Sequence, residues 1–129
     1  MKKAIGVLLL FFAVCLFCAC PPVTEDPVAK SITVAEAKEI TEGGKPYILL
    51  DVRSLAEYNS GHIAGAILIP NTEIAARAEA ELTDKEIIIL AHCGAGARSK
   101  AAAEILIGLG YKNVYYFGGI ADWPGGLVT

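Results

Sequence analysis

The feature that most constrains the fold is a set of short apolar or aromatic runs with no charged residue inside them. Ile87-Ile88-Ile89-Leu90 is the strongest, and Tyr47-Ile48-Leu49-Leu50, Ala66 to Ile69 and Val114 to Phe117 resemble it. A strand with one wet face alternates polar and apolar residues, so an unbroken run reads as a strand covered on both faces. Helical patterns lie between the runs. Thr33-Val34-Ala35-Glu36 has capping-box spacing, with Val34, Ala37 and Ile40 at helical intervals and Gly43-Gly44 as the stop. Ser54-Leu55-Ala56-Glu57 repeats the box and opens a short helix that fails at Asn59 to Gly61. Asn71 or Thr72 can cap a helix running to about Leu82. A further helix follows from Arg98, with Ala102, Ile105, Leu106 and Leu109 on one face and Gly108 and Gly110 breaking it. Thr83 and Glu86 also have the box spacing, but a β-branched run follows, so no helix is expected there. A short helical turn is expected around Ala121 to Trp123. Strands alternating with helices predict an α/β domain with a parallel sheet.

Not all of the 129 residues belong to that domain. Lys2 and Lys3 precede an uncharged apolar run from Ala4 to Ala19, slightly short for a comfortable membrane span of about 20 residues. The pattern fits an export signal over residues 1–20. Phe17-Cys18-Ala19-Cys20 is similar to a bacterial lipobox, with Phe17 where leucine is usual, and makes Cys20 the expected lipidation site. Cleavage near Ala19 to give a soluble periplasmic protein, or an uncleaved anchor, are the alternatives. Residues 21–30, with Pro21, Pro22 and Pro27, read as an extended tether, and residues 31–129 as the domain. The expectation is an exported lipoprotein held to the membrane and facing the periplasm or cell exterior. Setting aside Lys2 and Lys3 leaves 9 of the 11 cations against 14 carboxylates, a net charge of −5. No basic patch remains to grip nucleic acid.

Cysteine usage singles out one side chain. Cys15 and Cys18 fall in the signal and Cys20 is committed if lipidated, so Cys93 stands alone in the domain. A single thiol in an exported domain staples nothing and is a candidate reactive residue. It opens the loop Cys93-Gly94-Ala95-Gly96-Ala97-Arg98-Ser99, between the strongest strand and a helix. Ligands of open α/β sheets bind beyond the carboxyl ends of strands. Small side chains at Gly94, Ala95, Gly96 and Ala97 let the backbone curl with its N–H groups inward, as an anion-binding nest ahead of a helix N-terminus. Arg98 adds a permanent cation. Together they favour thiolate over thiol, and the thiolate is the nucleophile. A tight turn with Cys93 packed beneath it is the plainer reading of this loop alone.

A second stretch extends the pattern. Asp51-Val52-Arg53, Glu57-Tyr58, Gly61-His62-Ile63, Gly65-Ala66 and Ile69-Pro70 resemble the N-terminal signature of the rhodanese family. Cys93-x-x-Gly96-x-Arg98-Ser99 is similar to that family's active-site loop, and Gly118-Gly119 followed by Trp123 to its C-terminal motif. The resemblance covers about Ser31 to Pro124. It implies a three-layer domain with a five-stranded parallel sheet in the order 1-5-4-2-3, flanked by helices, and the active loop after the fourth strand. It also implies ping-pong sulfur transfer. Cys93 takes a sulfane sulfur from thiosulfate, polysulfide or a persulfide, and the resulting persulfide passes it to cyanide, a thiol or a protein acceptor. Arg98 and the amides of Gly94 to Ser99 would form the cradle. No metal or cofactor is implied. Cys93 to Arg98 spans six residues; the related phosphatase and arsenate-reductase branch has one more, which widens its loop for a tetrahedral oxyanion.

The neighbouring residues carry plainer expectations. Asp51 and Arg53 can border the site, or pair with each other to fix a turn. Glu57 is expected to cap a helix or partner Arg53, and His62 to form structural hydrogen bonds. His92 directly precedes Cys93, but adjacent residues on an extended segment point to opposite sides. Tyr58 and Trp123 read as packing. Gly94, Ala95 and Ala97 lack the cations and hydroxyls that often help such loops grip thiosulfate, which leaves the donor open. A sulfur carrier without turnover and a thiol redox sensor are the competing functions.

Overall fold

The computed structural model describes Pro22 and residues 25–129. The expected signal segment and its Cys20 lie outside these residues. Among the described residues, no helix is long and apolar enough to cross a membrane.

Five strands form one parallel sheet: β1 (Lys30–Ser31), β2 (Tyr47–Asp51), β3 (Ile67–Leu68), β4 (Ile88–His92) and β5 (Asn113–Phe117). The order is β1-β5-β4-β2-β3, with every pairing parallel. Four helices connect them: α1 (Val34–Glu42), α2 (Leu55–Ser60), α3 (Ile74–Glu81) and α4 (Ala97–Gly108). The chain order alternates as the apolar runs predict, and the sheet order is the one the resemblance implies.

Both faces of the sheet are covered, which is why its central strands carry unbroken apolar runs. On one face Leu50, Val52, Ile89 and Ala91 meet Ile74, Ala78 and Leu82 from the α3 region and Ala102, Ala103 and Leu106 of α4. On the other, Leu49, Leu90 and Phe117 meet Ala37 of α1 together with Ile63, Ile120 and Trp123. Burying a residue such as Leu50 or Ile89 completely contributes roughly 1.5–3 kcal/mol. Tyr111, also fully buried, turns its hydroxyl to the terminal carbonyls of α3, 2.6 Å from Leu82 O and 3.0 Å from Ala78 O.

Both capping boxes form. Thr33 Oγ1 accepts from Glu36 N while Glu36 accepts from Thr33 N, and Ser54 and Glu57 do the same at α2. The Thr83/Glu86 spacing produces no helix. Some boundaries differ from the sequence expectations. The 71–82 helix is a 3-10 turn at Asn71–Glu73 followed by α3, and neither Asn71 nor Thr72 caps it with a side chain. The third strand is two residues long. Lys30, placed in the tether, pairs with Tyr115 as the first residue of β1.

The strand β4 extends two residues past Leu90, because Ala91 and His92 pair with Leu50 and Asp51 on one side and Tyr116 and Phe117 on the other. Asp51, His92 and Phe117 thus form a row across three strands at their carboxyl edge. Cys93 is the first residue beyond that row.

Candidate active site

Alternation along β4 separates His92 from Cys93. Cys93 faces the core beneath α3 and α4, whereas His92 stacks on Phe117 at 5.3 Å on the opposite face. Beyond Cys93 the loop reverses sharply into α4. Gly96 makes that reversal with φ 105°, a left-handed conformation that side chains resist. No side chain caps the helix that follows. Its first-turn N–H groups therefore lack the partner that a Ser or Asp would supply, and the cysteine sulfur occupies that role. Gly96 N donates to Cys93 Sγ at 3.0 Å and Ser99 N at 3.4 Å.

Ser99 completes the cradle from below. Its hydroxyl lies 3.4 Å from Sγ, positioned to accept the thiol proton. It donates toward Gly96 O or Phe117 O, each at 3.0 Å, and can turn toward a thiolate instead. Burial pushes the Cys93 thiol up, but the Ser99 hydroxyl and the amides of Ser99, Gly96 and Arg98 outweigh it, so the thiol titrates below its ordinary value. Cys93 is only 1% exposed. Gly94, Ala95 and Ala97 are exposed and form the rim.

The loop is also braced from β5. Cys93 N donates to Phe117 O and Gly119 N to Gly94 O. A Cβ on Gly118 would fall 2.6 Å from Ala95 C and 2.7 Å from Gly96 N. The Gly118-Gly119 motif therefore acts on the site by close backbone approach. Sequence reasoning identified the motif but not this contact, which needs the pairing of β4 with β5.

Arg98, on the first turn of α4, turns its guanidinium to Glu57. Its Nη1 and Nη2 donate to Glu57 Oε2 and Oε1 at 2.7 and 2.9 Å, in a fork-to-fork pair. Ser54 N and Oγ donate to the same Oε2, at 3.0 and 2.9 Å. Arg98 first, and then Ser54, hold the Glu57 carboxyl well below the usual carboxylate range. Glu57 thus caps α2 as expected, but its arginine partner is Arg98, 41 residues on, and not Arg53.

Arg53 belongs to a buried pair behind the site. Its Nε and Nη2 donate to Asp51 at 3.0 and 2.7 Å, and Nη2 also to Gly61 O at 2.7 Å. Burial would raise the Asp51 pKa, yet the His92 ring and the Arg53 fork hold it at about 2. His92 is fully buried, its Nδ1 3.3 Å from Leu90 O and its Nε2 3.7 Å from Asp51 Oδ2. Asp51, Arg53 and His92 therefore brace the strand ends, and none reaches Cys93. His62 stacks on Tyr58 at 3.8 Å, and Tyr58 Oη donates to Ala66 O. Cys93 is the free cysteine among the described residues, which hold no cluster of three or more His, Cys, Asp or Glu that could take a metal.

The family model of the rhodanese-like domain matches residues 33–125. The chain belongs to the rhodanese-like family. The thiosulfate sulfurtransferase PspE of Escherichia coli is 38% identical over 73 residues, covering 57% of this chain and 70% of PspE. A Bacillus subtilis protein provisionally named sulfur carrier protein YrkF is 34% identical over 95 residues, covering 73% of this chain and 50% of YrkF. The chain thus spans half the length of that relative. Among solved structures, a rhodanese with anions from E. coli is 35% identical with a TM-score of 0.60, covering 64% of this chain and 98% of that one. Such relatives support sulfurtransferase activity in general for this rhodanese-like domain.

Proposed function

We propose that the protein is a sulfurtransferase that carries sulfane sulfur on Cys93. The supporting observation is the sulfur of Cys93 seated on the amides of Gly96 and Ser99 at the uncapped start of α4. In the first half-reaction the Cys93 thiolate attacks the outer sulfur of thiosulfate, polysulfide or a persulfide. The donor S–S bond breaks, its electron pair leaves with sulfite, a polysulfide shortened by one sulfur or a thiolate, and Cys93 becomes a persulfide. In the second, cyanide or a thiolate attacks the terminal sulfur and the Cys93 thiolate is restored. On the protein the charge resides on sulfur in both the thiolate and the persulfide, so fixed N–H donors at the helix start serve each state without reorganising. Gly94, Ala95, Gly96, Ala97, Arg98 and Ser99 surround the transferred sulfur in this reading.

Incubating the purified protein with thiosulfate or polysulfide should add the mass of one sulfur to Cys93, and cyanide should then release thiocyanate. Cys93→Ser should abolish both. Absence of an adduct with every sulfane donor would sink the reading. A stable adduct that cyanide and small thiols fail to discharge would instead favour a carrier that delivers persulfide to a protein acceptor. The resemblance to YrkF is the observation favouring that second reading.

Export is part of the same proposal. The apolar run from Ala4 to Ala19 after Lys2 and Lys3 supports it, and Ala19-Cys20 supports a lipid anchor facing the periplasm or cell exterior. Labelled palmitate should enter the wild-type protein in cells and not Cys20→Ala; equal labelling would refute the anchor.

A further inference from the structure

Arg98 is the cation of the active loop, and its guanidinium is already bound. Both forks meet Glu57, so each of its outward N–H pairs faces a carboxylate oxygen. An exposed ion pair is ordinarily weak because two long side chains must be ordered to make it. Here that ordering has been done in advance. Ser54 fixes the Glu57 carboxylate through two hydrogen bonds, and Arg98 is carried on the first turn of α4 beside the loop. The pair also borders the active loop beside the nucleophile: the Arg98 guanidinium lies 3.9 Å from where a Cβ on Gly94, the residue after Cys93, would be. The exposed rim at Gly94, Ala95 and Ala97 brings no other charge.

We propose that Glu57 is a specificity-determining residue, which neutralises Arg98 and thereby turns the cradle against dianionic sulfur donors and toward singly charged ones. The inference rests on the sulfurtransferase reading above. Thiosulfate carries two negative charges, one of them on the sulfonate end that leaves. A free arginine at the mouth would attract that end, whereas an arginine matched by a carboxylate presents no net charge to it. An alkyl persulfide brings one charge, on the terminal sulfur that the amides of Gly96 and Ser99 already face. Transfer from it is balanced: the Cys93 thiolate bonds to that sulfur, the alkyl S–S bond breaks, and the alkyl thiolate leaves with the electron pair. Glu57 is a positioning and charge-setting residue in this scheme, since it touches Arg98 and not the sulfur.

Glu57→Gln tests the proposal with little damage to the fold, because glutamine at the third helical position also completes a capping box. The ratio of kcat/KM for thiosulfate to that for cysteine persulfide should rise about tenfold, through KM for thiosulfate and most strongly at low salt. A second measurement needs no turnover. The concentration of thiosulfate that protects Cys93 from iodoacetamide should fall by a similar factor in Glu57→Gln, and adding Arg98→Gln should reverse the gain. An unchanged ratio and unchanged protection would overturn the proposal, as would equal losses with both donors and a lowered melting temperature, the signature of a merely structural cap. If the wild type transfers no sulfur yet protection still responds to Glu57→Gln, the sulfurtransferase reading fails and the charge-setting role stands.

Discussion

Ser99 illustrates how one buried hydroxyl serves two protonation states. Facing a thiol, it accepts the S–H proton and passes its own hydrogen to Gly96 O or Phe117 O; facing a thiolate, it can turn and donate. Removing it strips a hydrogen bond from the charged state while burial still penalises that state. Ser99→Ala should therefore move the pH midpoint of Cys93 alkylation upward and slow alkylation at neutral pH. The two carbonyls it serves would lose a donor, which costs about 1–2 kcal/mol in a urea titration. An unshifted midpoint would show that the amides of Gly96 and Ser99 alone set the thiol. At this scale the sequence was legible in its residue types: a cysteine, small neighbours and a serine mark a nest. It was not legible for Arg98, whose partner Glu57 is 41 residues away and reads locally only as a cap.

At the scale of elements, local code was read well where it is self-contained. The boxes at Thr33 and Ser54 close within four residues, so spacing alone determines them. The Thr83/Glu86 pair failed for a reason also visible locally, the β-branched run behind it. Boundaries set by distant partners were less legible. The extension of β4 to His92 depends on its pairing with Asp51 and Phe117, and the division of the 71–82 segment into a 3-10 turn and α3 has no local signature. The approach of the loop after β5 to the active loop is of the same kind. Gly118→Ala would press a methyl group into the backbone at Ala95 and Gly96. Overpacking of this kind costs about 1–3 kcal/mol, and here it should also displace Gly96 N from the sulfur. Both a lower denaturation midpoint and slower Cys93 alkylation are expected. Wild-type values for the two would mean that the loops separate freely.

The whole molecule is coupled to pH through the carboxyl edge of its sheet. Asp51 is fully buried and titrates at about 2, below its ordinary 3.8. A carboxyl depressed in the folded state stabilises above its unfolded value, and that stabilisation is lost as pH falls through the folded one. The shift corresponds to about 2 kcal/mol, fully present above roughly pH 4 and fading toward pH 2. Glu57, also depressed, acts in the same direction. Urea midpoints of the wild type should fall steeply over that interval, and less steeply in Asp51→Asn, which cannot titrate there. Parallel slopes in the two proteins would assign acid sensitivity to other groups. The anchoring of Glu57 at the start of α2 has a consequence for how such a domain can diverge. Its side chain closes a helix cap and compensates the arginine beside the nucleophile, so most replacements would disturb both at once. Glutamine preserves the cap, and the codons for the two residues differ by a single base. Donor preference in this lineage is therefore one point mutation from change along that route, while other routes at the same position pass through a weakened helix.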